Sequence, residues 1–267
     1  ADKKMDLLQK QDRINHQIAK VVSLNAIGFE SYAIPDFEMY LEQRKKLGYA
    51  YNNTNADFFE AINEVGKIHF PKQDLVVLKS SDATAAFKNL QAVIQSQKNF
   101  RDFEIYEVLN PEMLQIYAPL VVLKQANFVI QIGDFFIFAN QIEALENCII
   151  NHLNQANLQL QPNYKNLEAK LSDKSSVLMV ALSDNWLAHM QTKSHASFTE
   201  NLTQLTLNNY QEIGFQFNID EDFTYINAVM QPTKQTENSS LVQQVKRFKL
   251  AEKNLISPYF FTNWRTQ

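Results

Sequence analysis

The chain has 267 residues, with 45% apolar residues, 20% charged residues and a formal net charge of −4. That is the balance of a globular protein long enough to bury a sizeable core. A weakly acidic chain lacks the electrostatic footprint of a nucleic-acid binder, and no apolar run reaches the roughly 18 residues that cross a membrane as a helix. The single cysteine, Cys148, excludes an internal disulfide. Nineteen Phe and ten Tyr against two Trp predict a core built on Phe, and five Gly leave little room for Gly-rich phosphate loops.

In chain order, residues 3–20 are polar with a thin stripe of Leu7, Leu8, Ile14 and Ile18, which predicts an amphipathic helix. A strand is expected from about Val21 to Tyr32. Pro35-Asp36 opens a short helix from Phe37 to Leu47, closed by Gly48. Asp57 caps a second short helix carrying Phe58, Phe59, Ile62 and Val65. Leu75 to Leu78 reads as a short buried strand. Ser80-Ser81-Asp82 then caps a helix with Ala86, Phe87, Leu90, Val93 and Ile94 at helical spacing. Asp102 to Leu109 reads as a strand, and Met113 to Leu123 as helix or strand, broken by Pro119.

Phe128–Ile132 and Phe135–Phe138, separated by Gly133-Asp134, read as a tight hairpin. An amphipathic helix follows, marked by Ile142, Leu145, Ile149 and Leu153, and Cys148 within it reads as a small packing residue. Pro162 opens a helix with Tyr164, Leu167 and Leu171. Val177 to Leu182 is a third buried strand, with Ser183-Asp184 capping a helix that carries Trp186, Leu187 and Met190. Leu78–Asp82, Phe138–Asn140 and Leu182–Asp184 thus read as local copies of one strand, cap and helix design. Phe215, Phe217 and Ile219 alternate with polar residues, turn at Asp220–Asp222 and return over Phe223–Met230, a second hairpin. Pro232 to Ser240 reads as a linker, Val245 to Leu250 as an alternating strand, and Ile256 to Trp264 as an aromatic, apolar stretch.

Motifs for chemistry are sparse. His16, His69, His152, His189 and His195 have neither the i, i+4 spacing nor the acidic and thiol company of a metal site. Neither a nucleophile elbow nor a Gly-rich phosphate cradle occurs. Asp220, Glu221 and Asp222 read as a charged hairpin tip rather than a calcium loop, which needs spaced ligands, a central Gly and a distal Glu. Lys246, Arg247, Lys249 and Lys253 read as the wet face of an edge strand rather than a lipid-contacting patch. The feature pointing outward is the aromatic group Tyr259, Phe260, Phe261 and Trp264, which needs cover from this domain, a following domain or another protein and is the candidate interaction surface. No catalytic, cofactor-binding or metal-binding residue is assigned, and no cofactor is expected.

Asn263-Trp264-Arg265-Thr266 after Pro258-Tyr259-Phe260-Phe261 resembles the junction into a β-propeller-like region in large uncharacterised bacterial envelope proteins. Gly133–Asn140 with its helix, and the strand and cap at Val177–Asp184, resemble the α+β domain that precedes that region in those envelope lipoproteins. The resemblance implies an extracytoplasmic location in the cell envelope. It also implies a membrane tether and a propeller outside these residues, and other envelope proteins as partners.

The expected fold is α+β: a mixed or mainly antiparallel sheet with helices packed on one face, open to construction from two diverged similar halves. The expected divisions are 1–110, a first α+β half; 111–232, a second half ending in a hairpin; and 233–267, a linker and strands leading onward. The expected function is a non-catalytic envelope domain acting in protein–protein assembly at the membrane. The alternatives are a small-ligand or glycan binding module using exposed Tyr and Trp, and an enzyme of unrecognised type.

Overall fold

In a computed structural model, described over residues 4–49, 56–182, 210–220, 223–232 and 246–250, eleven strands join in one antiparallel sheet. They are β1 (Gly28–Ala33), β2 (Ile62–His69), β3 (Asp74–Ser80), β4 (Ile94–Phe100), β5 (Phe103–Val108), β6 (Phe128–Ile132), β7 (Phe135–Ala139), β8 (Val177–Leu182), β9 (Tyr210–Ile219), β10 (Thr224–Pro232) and β11 (Lys246–Leu250). The spatial order is β11-β10-β9-β8-β1-β2-β3-β7-β6-β5-β4. Strands distant in sequence therefore become neighbours: β8 pairs with β1 and β7 with β3. Among the described residues there are five α-helices: α1 (Phe37–Lys46), α2 (Ala56–Glu60), α3 (Ala83–Leu90), α4 (Ile142–Leu153) and α5 (Pro162–Glu168).

The α+β class and the antiparallel pairing are as expected, but the helices cover both faces of the sheet. Alternation along each strand divides the core in two. Tyr32, Val65, Val76, Leu78, Phe136 and Phe138 pack with Phe37, Tyr40, Phe58, Phe59 and Leu90 of α1, α2 and α3. Phe29, Ile68, Val77 and Ile137 pack with Leu145 and Ile149 of α4 and Tyr164 and Leu167 of α5. A strand covered on both sides carries apolar residues at every position, which is why Phe135–Ala139 is buried throughout.

Several local expectations hold. Asp36 caps α1 by accepting from the Met39 amide at 2.8 Å, and Gly48 follows the helix at φ +80°. The Gly133-Asp134 hairpin joins Ile132 to Phe135, with Gly133 at φ +57° as a two-residue turn requires. The hairpin of β9 and β10 also forms, with Ile219 opposite Thr224.

Others are corrected. Residues 4–20 contain two short 3-10 turns, Met5–Leu8 and Ile18–Lys20, rather than one amphipathic helix. The amides of Gln17 and Ile18 are taken by the Glu64 carboxylate instead of a helical ladder. The helix at Phe58 stops at Glu60, and Ile62 and Val65 belong to the central strand β2. Ile94 leaves the helix of Ala86 to begin the edge strand β4. The two described strand, cap and helix copies also differ. Asp82 caps α3 by accepting from the Ala85 amide, whereas Gln141 at the start of α4 makes no side-chain cap. The two helices lie on opposite faces. The third copy's cap and helix lie outside the described residues.

Candidate functional site

Three neighbouring central strands, β1, β2 and β3, carry polar side chains into both cores. Glu30, Lys67, His69 and Asp74 share one face, with Glu30 opposite Lys67 and His69 opposite Asp74 in register. Glu30 accepts from the Tyr32 hydroxyl at 2.7 Å, and its other oxygen lies 3.7 Å from His69 Nε2. His69 Nδ1 meets Asp74 at 3.1 Å, and Lys67 Nζ reaches the other Asp74 oxygen at 2.9 Å. Lys4 stands 5.1 Å over the Tyr32 ring. Burial alone would raise the Glu30 pKa; Lys4, His69 and Lys67 outweigh it and bring the carboxyl down to about 2. Burial opposes ionisation of Asp74 too, and His69 and Lys67 overcome it, holding this carboxyl well below the usual carboxylate range. Lys4, His69 and Lys67 between them thus keep both carboxylates ionised in the interior.

The opposite face holds Ser31 and Glu64. The Glu64 carboxylate accepts from the Gln17 amide at 2.9 Å, the Ile18 amide at 3.2 Å and the Ser31 hydroxyl at 2.8 Å. His16 Nδ1 lies 2.7 Å from Ser31 Oγ and 3.4 Å from Glu64, while Nε2 lies 3.1 Å from the Ser175 carbonyl. Serine, histidine and glutamate are therefore together, although far apart in sequence. The arrangement is not a charge relay, in which the imidazole stands between hydroxyl and carboxylate with one ring nitrogen on each. Here Nδ1 faces both, Nε2 is occupied by backbone, and Ser31 is fully buried. The cluster fastens residues 16–18 and Ser175 onto the sheet.

The open geometry lies toward the other end. The ladder between β5 and β6 has two pairs, Tyr106 with Val129 and Glu107 with Phe128. Past Tyr106 the ladder stops, while β5 stays paired with β4 as far as Phe103, and β6 with β7 as far as Ile132. A cleft of about 360 Å³ lies there. Phe87 of α3 and Tyr106 of β5 form one wall, edge to face at 5.6 Å between ring centroids. Glu104 accepts from the Tyr106 hydroxyl at 2.9 Å. Ser96 and Tyr106, both hydrogen-bonded to Glu104, lower its pKa. Gln131 donates to the Gly133 carbonyl at 3.1 Å, which leaves its amide oxygen to accept. Asp102 stands at the rim in a left-handed turn conformation, φ 67°.

Residues singled out from the sequence fall as follows. Tyr259, Phe260, Phe261 and Trp264 lie outside the described residues, as do His189 and His195. His16 and His69 enter the two buried clusters, and His152 stands edge-on to Phe103. Cys148 is buried, and burial pushes its thiol up to about 12, consistent with packing. Asp220 follows the end of β9; its two carboxylate oxygens accept from Arg13 at 3.1 and 3.2 Å, and its amide donates to the Phe223 carbonyl at 2.9 Å. Sequence reasoning missed the cleft. Its members come from α3, β5, β6 and two hairpin turns, and no spacing rule connects them.

No family model and no curated relative matches the chain. Among solved structures it is similar to crystal form I of TP0453, at 13% identity and a TM-score of 0.46, over 89% of this chain and 92% of the other. Crystal form III gives 11% identity and a TM-score of 0.45 over 89% and 92%, and form IV 14% and 0.44 over 91% and 92%. Among the described residues no helix is long and apolar enough to cross a membrane.

Proposed function

We propose that this chain is a non-catalytic domain of the cell envelope that acts by assembling with other envelope proteins. The observation that carries the reading is the edge of the sheet at β4. Residues 95–99 are exposed, and the strand is paired with β5 on one side only. A bulge between Ser96 and Lys98, together with the Lys98 charge, works against indiscriminate strand pairing there. The open backbone and the adjoining cleft leave a surface suited to a specific partner. The buried acid–base groups support the same reading, since they are engaged with one another in the sheet interior. The extracytoplasmic placement comes from the resemblance of Gly133–Asn140 and Val177–Asp184 to envelope domains.

The test is purification of the full-length protein from native membranes, with a photo-crosslinker at Gln95 on β4. A protein recovered at fixed stoichiometry and crosslinked at that position supports the assembly reading. Recovery of the protein alone, with no crosslink, overturns it.

A further inference from the structure

The cleft between β5 and β6 has a chemistry of its own. Its lining holds two carboxylates, Asp102 and Glu104, and no cation. Two positive groups beside the β4–β5 turn point away from the cleft: Lys98 and Arg101 lie over the Phe100 ring at 5.7 and 5.6 Å, and Lys98 also pairs with Glu146. The aromatic wall of Phe87 and Tyr106 is half-buried, so it offers ring faces to a ligand without being lost to the core. Glu104 is fixed by the Tyr106 hydroxyl, so its position is set before anything binds. A ring face beside a carboxylate suits a cation that carries apolar surface. The charge meets the carboxylate and the ring quadrupole, and the carbon arm covers the aromatic wall. A neutral sugar would use the rings and leave both carboxylates without a counter-charge, and an anion would be repelled.

We propose that this cleft binds a primary ammonium or guanidinium group on an aliphatic arm, namely a lysine or arginine side chain of the protein partner. In this arrangement Glu104 receives the charged head, Gln131 accepts a further hydrogen bond, and Phe87 and Tyr106 flank the arm. The source of the side chain rests on the assembly reading above, whereas the chemistry of the cleft does not. Binding through one exposed side chain is weak, roughly millimolar, so the titration is read over that range.

The test uses the whole chain, with backbone amide spectra recorded during titration with N-acetyl-lysinamide, N-acetyl-argininamide and the neutral N-acetyl-norleucinamide. The expected result is saturable shifts at Glu104, Tyr106 and Gln131 with the two cations, and at least ten-fold weaker response to the neutral probe. Glu104→Gln, at an exposed side chain, should keep the unperturbed spectrum and lose the cation response by a similar factor. Tyr106→Phe should weaken it by less. Equal response to the neutral probe, no saturable response, or an unchanged response in Glu104→Gln overturns the proposal. A positive titration alongside a failed co-purification would overturn the assembly reading and leave the cleft's chemistry standing.

Discussion

Glu30 and Glu64 stand on adjacent central strands and point to opposite faces of one sheet, each almost completely buried and each close to a histidine. Their supports differ. Glu30 is held by charges, those of Lys4 and Lys67 and the neighbouring His69. Glu64 is held by hydrogen bonds from the Gln17 and Ile18 amides and the Ser31 hydroxyl. Replacing Glu64 with Ala leaves the two amides and the Ser31 hydroxyl without that acceptor in a dry site. Removing one partner of such a buried group costs about 3–5 kcal/mol. Glu64→Gln retains one carbonyl oxygen and should lose less. Urea unfolding should show a lower midpoint at unchanged slope for both, with Ala the more severe. A loss under about 1 kcal/mol for Glu64→Ala would mean that the cluster does not fasten the N-terminal segment.

Two carboxylates give pH dependences of opposite sign. The Glu30 pKa is lowered from 4.5 to about 2, so its contribution is present above 4.5 and is lost as pH falls through about 2. Glu212, on β9 opposite Leu182 and Gln231, is raised by burial from 4.5 to about 7. Its contribution is therefore full below 4.5 and is lost as pH rises through about 7. Burial is the cause of that shift, and Tyr164 of α5, itself raised chiefly by burial, lies near enough to feel the Glu212 charge. Glu212→Gln should become steadily more stable relative to the parent between pH 5 and pH 8, measured as the difference in urea midpoint. A difference that stays flat across that range would show that the Glu212 carboxylate is solvated.

How far the fold was legible follows from the same residues. The hairpin of β6 and β7 was plain because two mainly apolar runs flank a Gly-Asp turn. The central strand β2 was hidden because Glu64, Gly66, Lys67 and His69 interrupt its apolar pattern. Those polar residues are buried and satisfied by β1, β3 and the N-terminal segment, partners far away in sequence. The edge strand β4 was hidden for a different reason: its middle is solvated and polar, so it carries no apolar alternation. The cleft is a property of where one ladder stops, which side-chain patterns along single segments do not encode.

Gly66 is the point at which the two polar clusters constrain packing. A Cβ there would stand 2.2 Å from Ile18 Cδ1 and 2.6 Å from the Glu30 carbonyl oxygen. The side chain of Ile18 can turn aside, but the carbonyl belongs to the paired backbone of β1. Ile18 is also held by the hydrogen bond that its backbone amide donates to the Glu64 carboxylate. Gly66→Ala should therefore destabilise by about 1–3 kcal/mol, the range for overpacking a filled interior. An Ile18→Val partner substitution should recover only a part, since the carbonyl contact persists. Full recovery in the double variant, read from thermal unfolding, would mean that the strands move apart freely at this point.

Asp102 sets stability against the chemistry of the cleft. The turn between β4 and β5 places Arg101 at φ 51° and Asp102 at φ 67°, with Phe100 opposite Phe103. Two successive left-handed residues make the two-residue hairpin turn that favours Asn-Gly. A left-handed conformation costs an ordinary side chain about 1–2 kcal/mol, and Asp tolerates it better than most. Asp102→Gly should therefore raise the urea midpoint, by roughly 1 kcal/mol at most, because part of the relief is offset by the freer unfolded chain. The same substitution removes one of the two carboxylates from the cleft and should weaken its response to N-acetyl-lysinamide. A more stable protein with a weaker cation response would identify Asp102 as a residue kept in a strained position for binding. A more stable protein with an unchanged response would leave Glu104 as the carboxylate that matters.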